Sequence, residues 1–116
     1  MNLYHCMIDL KDEAKALQFS HAMRAWMDFL KSQDVIVDWR LMRRKLNLTS
    51  DAHRDFILEV EIKNLEQLDQ AFHYISGTSD KIERLHGLVH AMIEKVEFGL
   101  YRPYPDESRV ERIALL

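Results

Sequence analysis

The chain is poor in the residues that break or staple a fold. It has one cysteine, two prolines and three glycines in 116 residues. The single cysteine, Cys6, excludes an intrachain disulfide, and at this length a core of ordinary size needs no such staple. Both prolines, Pro103 and Pro105, fall after the last periodic segment, so no linker, repeat or low-complexity tract divides what precedes them. Positive charge is not in excess: 16 lysines and arginines stand against 19 aspartates and glutamates, a formal charge of −3. A general binder of nucleic acid or anionic membrane would usually be basic. No apolar run approaches the ~20 residues of a membrane-spanning helix, and the N-terminal residues lack a secretory pattern. The expectation is a cytoplasmic protein without a membrane partner.

What is present is periodicity. Residues 2–10 alternate, with Tyr4, Cys6, Ile8 and Leu10 on one side and Leu3, His5, Met7 and Asp9 on the other, the pattern of a strand. Asp12 is a plausible cap for a long helix to residue 32, in which Phe19, Met23, Trp26 and Leu30 recur at helical spacing. Phe29 lies off that stripe and needs a second surface. Residues 35–46 read as a second strand, and 47–53 as a polar turn. Residues 55–62 alternate most cleanly, Phe56, Leu58, Val60 and Ile62 facing one way. Asn64 with Gln67 three residues on makes a capping box for a helix carrying Leu65, Leu68, Phe72 and Ile75. After Ser76-Gly77-Thr78 a helix restarts at Ser79 or Asp80, and residues 95–102 form the last strand.

Strand, helix, strand, strand, helix pair, strand is the order of a ferredoxin-like βαββαβ domain of the α+β class, with a four-stranded antiparallel sheet and its helices on one face. The domain spans 1–102; residues 103–116 form a C-terminal arm, whose four terminal apolar residues suit packing on the domain or on a partner better than free water. With strands one and three central, the uncovered face presents Leu3, His5 and Met7, then Arg40, Met42 and Arg44, then Ile57 and Glu59, then Glu97 and Tyr101. Such charges need partners, and Arg40 or Arg44 can pair with Glu59 or Glu97. A mixed lining of this kind fits a homodimer interface enclosing a small cavity, or else a partly solvated sheet crossed by ion pairs.

The strings HCMIDLKDEA, WRLMRRKLNL, SDAHRDFILEVEI and VEFGLYRPYPD resemble a family of uncharacterised bacterial ferredoxin-like proteins, over the whole chain. The layout also resembles the dimeric α+β barrel superfamily, in which two such subunits pack sheet against sheet. That superfamily includes cofactor-independent monooxygenases, haem-degrading enzymes, muconolactone-type isomerases and ligand-sensing regulatory modules. The resemblance implies an architecture and transfers no catalytic residue.

The candidate site is therefore the open face. His5 is the candidate base, with Glu59 on the neighbouring strand to orient it. Arg40 and Arg44 are candidates to hold a small anionic or aromatic molecule, alongside Met42, Ile57, Glu97 and Tyr101. A histidine held by a carboxylate for structural reasons alone, and basic residues that protect an edge strand, are the competing explanations. RNA binding would need stacking aromatics where His5, Met7, Ile57 and Glu59 stand. Glu83, His86, His90 and Glu94 line one helix stripe without fixing a third metal ligand, so no metal and no cofactor is expected. Cys6 belongs under the helices as a small hydrophobe. Two functions stay open: a homodimeric small-molecule binder, with cofactor-independent monooxygenase or isomerase-like chemistry if it is an enzyme, and a non-enzymatic dimeric regulatory or interaction module.

Overall fold

The computed structural model describes residues 1–46, 48, 50–77 and 79–105. Four strands, β1 (Asn2–Leu10), β2 (Asp38–Arg43), β3 (Phe56–Ile62) and β4 (Ile93–Tyr101), form one sheet in the order β2-β3-β1-β4, antiparallel throughout. Three helices, α1 (Ala16–Ser32), α2 (Leu65–Ile75) and α3 (Asp80–His90), supply the other layer. This is the ferredoxin-like α+β fold, with β1 and β3 central as expected.

Local chemistry sets the helix ends. The Ala14 N–H donates to Asp12 Oδ1 at 3.0 Å, opening a short 3-10 turn, Glu13–Lys15, that leads into α1. The helix stops without a glycine. Asp34 takes a left-handed conformation (φ 58°), and the Val35 N–H returns to the Leu30 carbonyl at 3.0 Å. A short polar side chain tolerates that backbone better than most. The capping box is present with a shift: the Gln67 N–H donates to Asn64 Oδ1 at 2.8 Å, while Gln67 Oε1 accepts from Lys63 N–H, one residue before the cap.

β2 is shorter than the strand expected over residues 35–46. Val35 and Ile36, read as its start, are consecutive and both buried, which a strand with one covered face does not allow. They are instead the connection from α1, tucked into the core. The core lies between sheet and helices: Cys6, Ile8 and Leu10 of β1 and Phe56, Leu58, Val60 and Ile62 of β3 meet Phe19, Met23, Trp26, Met27 and Leu30 of α1. Phe19 is wholly buried, its ring 5.2 Å from that of Phe56. Phe29 finds its second surface between Trp26, Tyr74 and the Lys81 ammonium.

The cover is incomplete. Phe72 is 49% exposed although it belongs to the α2 stripe, and Phe98 and Leu100, on the helix side of β4, are 63% and 48% exposed. Of the expected C-terminal arm, residues 106–116 lie outside the described residues.

Candidate functional site

Strand register arranges the open face in rows. The first row reads Asp38, Glu61, Leu3, Tyr101; the second Arg40, Glu59, His5, Gly99; the third Met42, Ile57, Met7, Glu97. His5 and Glu59 are thus direct cross-strand neighbours, as expected of them. The carboxylate is not given to the imidazole, however. Glu59, whose side chain is only 12% exposed, receives Arg40 through both Nε and Nη2. A carboxylate so removed from water needs a cation, and a guanidinium fork fits it better than an imidazole at one point. His5 contacts the Tyr101 ring edge-on at 5.6 Å. Gly99 makes the room: a Cβ there would come within 3.0 Å of the Tyr101 ring.

The other arginines are engaged too. Arg44 reaches Asp55 at 2.6 Å. Glu97 is met by Arg54 at 2.6 Å, and Arg54 also reaches Asp9 at 3.3 Å. Arg54 is not among the site residues expected from the sequence. Its bridging role needs β3, β1 and β4 in register, and no local pattern reveals that. The Arg54 guanidinium holds the Glu97 carboxyl below its ordinary range, chiefly by direct hydrogen bonding. Arg40 and Arg44, the expected anion holders, therefore each have a carboxylate of the same subunit in place. A shallow depression of about 330 Å³, lined by Leu3, Arg40, Glu59 and Glu61 among others, lies at one end of this face.

The larger apolar space is on the opposite side of the sheet. A cleft of about 370 Å³ opens between the helices and the sheet, walled by residues such as Ile8, Leu58, Met23, Trp26, Val89 and Phe98. Its titratable wall groups are Tyr4, Cys6, His86 and His90. The two imidazoles stack, centroids 5.6 Å apart, and His86 sets its ring edge-to-face with Trp26 at 5.6 Å. Burial, reinforced by the neighbouring His90, lowers the His86 pKa below its ordinary value. Burial pushes the Cys6 thiol up to about 12, so it is an unreactive wall group.

His86 and His90 both remain exposed along the α3 stripe. Ile82, His86 and Val89 fall at helical spacing, so the His86 ring reaches Trp26 at the cleft wall although the residue itself stays exposed. Among the described residues no group of three or more His, Cys, Asp or Glu is placed to hold a metal. Nor is any described helix long and apolar enough to cross a membrane.

Residues 1–116 match the model of a family described as a family of unknown function, DUF6614. The chain belongs to that family. Among curated proteins, none matches it. Several solved structures share the fold of this DUF6614 member. The protein At3g17210 from Arabidopsis thaliana superposes with a TM-score of 0.70 at 8% identity, over 91% of this chain and 98% of its own. A dimeric ferredoxin-like protein of unknown function from Jannaschia sp. CCS1 gives 0.63 at 16%, over 89% and 100%. An antibiotic biosynthesis monooxygenase gives 0.61 at 15%, over 90% and 100%. At these identities the likeness is one of fold.

Proposed function

We propose that this DUF6614 protein is a homodimer that binds a compact, ring-bearing, largely apolar molecule in the cleft between helices and sheet. One observation carries the reading: a 370 Å³ space whose wall is apolar except for a few groups, two of them stacked histidines. Small-molecule sites are usually concave and apolar, about 300–1,000 Å³, with a small number of polar groups that fix orientation. His86, whose pKa is lowered by partial desolvation and by the neighbouring His90, can accept a hydrogen bond from a ligand hydroxyl, or a proton if the molecule reacts. Proton transfer or cofactor-free oxidation is the chemistry such a site would support, and the monooxygenase among the structural neighbours is compatible with it.

The dimer would use the open face. Its cations already have carboxylates within the subunit, and Leu3, Met7, Met42 and Ile57 give apolar surface between them. A second sheet that covers such a face meets these arginines already paired. The dimeric neighbour from Jannaschia sp. CCS1 supports this assembly.

The expected open-face site, with His5 as base, Glu59 beside it and Arg40, Met42, Arg44, Ile57, Glu97 and Tyr101 around them, is the second reading. The depression beside Arg40 and the His5–Tyr101 contact favour it. A non-enzymatic dimeric module would need neither site.

A single titration separates these readings. In a Trp39→Phe variant, Trp26 is the only tryptophan and reports on the cleft. Addition of 2-naphthol is expected to change its fluorescence saturably. Val96→Phe, which narrows the cleft, should abolish the change, whereas Arg40→Met should not. Binding lost with Arg40→Met and retained with Val96→Phe would assign the site to the open face. No saturable signal in any variant would leave the interaction module.

A further inference from the structure

The helix side of β4 carries an apolar surface that the described residues do not cover. Phe98 and Leu100 are 63% and 48% exposed, and Phe72 of α2 is 49% exposed. Tyr4 ties them together: its ring stacks on Phe98 at 5.6 Å and meets Phe72 edge-on at 6.0 Å. Leu100 is Tyr4's register partner. Three large apolar side chains around one half-buried tyrosine make a contiguous patch of the kind that marks an interaction surface.

The chain leaving β4 is held beside that patch. Arg102 follows Phe98 and Leu100 in the alternation, and its Nε–H donates to Asn2 Oδ1 at 2.9 Å. Asn2 is 3% exposed and lies on the helix side, two residues before Tyr4. Pro103 and Pro105 then lead to residues 106–116, eleven residues outside the described set. Five of them, Val110, Ile113, Ala114, Leu115 and Leu116, are apolar. Eleven residues reach roughly 16 Å as a helix and roughly 36 Å extended. Leu100 and Phe98 are two strand residues apart, about 7 Å, so the patch is within reach in either form. A second copy is the competing occupant, but the apolar surface framed by paired charges that would suit it lies on the opposite side of the sheet.

We propose that residues 106–116 fold back onto their own subunit and lay Val110, Ile113 and the Leu115-Leu116 pair against Phe72, Phe98 and Leu100. Phe72 and Phe98 also wall the cleft, so the segment would border its mouth, yet the packing does not depend on what the cleft binds.

The test uses the full chain with two cysteines introduced, Leu100→Cys and Leu115→Cys. Cys6 is buried and does not compete. After mild oxidation, peptide mapping of the monomer band on a non-reducing denaturing gel is expected to find the 100–115 disulfide. Its yield should exceed at least tenfold that of a control pair, Leu17→Cys with Leu115→Cys, since Leu17 is an exposed residue of α1. Equal yields would overturn the proposal, and a disulfide-linked dimer would move the segment onto a partner and overturn it too. A second readout needs no cross-link. Leu115→Asp with Leu116→Asp should raise the fluorescence of 1-anilinonaphthalene-8-sulfonate severalfold as the patch is bared, and an unchanged signal would contradict the packing.

Discussion

Along β1, Cys6 and Ile8 are 4% and 1% exposed beneath the helices, while His5 and Met7, their immediate neighbours, look out half-buried from the other side. The same strands thus make two surfaces of different chemistry. On the helix side, polar atoms are few and sit at the wall of a cleft. On the open side, charges are numerous, but Arg40, Arg44 and Arg54 each meet a carboxylate of the subunit. The difference teaches how an uncovered sheet can be prepared for a partner. Ion pairs closed within one subunit leave apolar side chains between them to make the contact and reduce the unpaired charge that assembly must bury. An anion site needs the opposite, a cation without a partner. The pairing therefore argues for assembly on the open side and ligand on the other.

The sharpest way to break this comparison is to injure each side in turn. Phe19→Ala removes a wholly buried ring from the helix side and is expected to cost about 3–5 kcal/mol in urea unfolding. That is a large part of the ~5–15 kcal/mol that holds a domain together. Ile57→Asp, in the apolar row of the open side, should leave the circular dichroism spectrum folded but weaken the dimer at least a hundredfold by sedimentation. A variant that unfolds instead would show that the open side stabilises the monomer. An unchanged sedimentation profile would mean that the subunits do not meet there. Smaller effects sharpen the picture at one helix end: Asn64→Ala removes the α2 cap and should cost about 1 kcal/mol in the same unfolding measurement.

Much of this contrast can be read from alternation alone. Phe56, Leu58, Val60 and Ile62 declare one face of β3, and matching them to Cys6 and Ile8 assigns the faces of β1 correctly. The pairing of Arg40 with Glu59 was also within reach, being a cross-strand neighbour on an edge. Other features depend on tertiary geometry. Phe72 belongs to the periodic stripe of α2, yet periodicity says which side of a helix is apolar and not how far its neighbours extend to cover it. Arg54 precedes β3, and its bridge to Asp9 and Glu97 joins positions about 45 residues away, visible only once three strands are in register. The cleft follows from the spacing of whole helices over the sheet, which no residue pattern encodes.

The smallest expected effect tests the two sides in one acid titration. His86 on the helix side and Glu97 on the open side both have folded-state pKa values below the ordinary ones, 6.5 and 4.5, for different reasons. For His86 the cause is burial, then the charge of His90; for Glu97 it is the hydrogen bond from Arg54, then that guanidinium's charge. In each case the unfolded chain binds the proton more readily, so stability is full above the ordinary pKa and is lost as pH falls through the folded value. The windows separate. Between about pH 7 and 5 the fall belongs to the helix side, and His86→Asn should flatten it while leaving the acid limb in place. Below about pH 4.5 the open side contributes, and Glu97→Gln should flatten that limb alone. Melting temperatures across the range check both, with the Glu97 effect the weaker because its carboxylate is well exposed and its ion pair screened by solvent. If His86→Asn left the near-neutral slope unchanged, the imidazole would not be desolvated, and the neutral histidine on which the cleft's proposed chemistry relies would lose its physical basis.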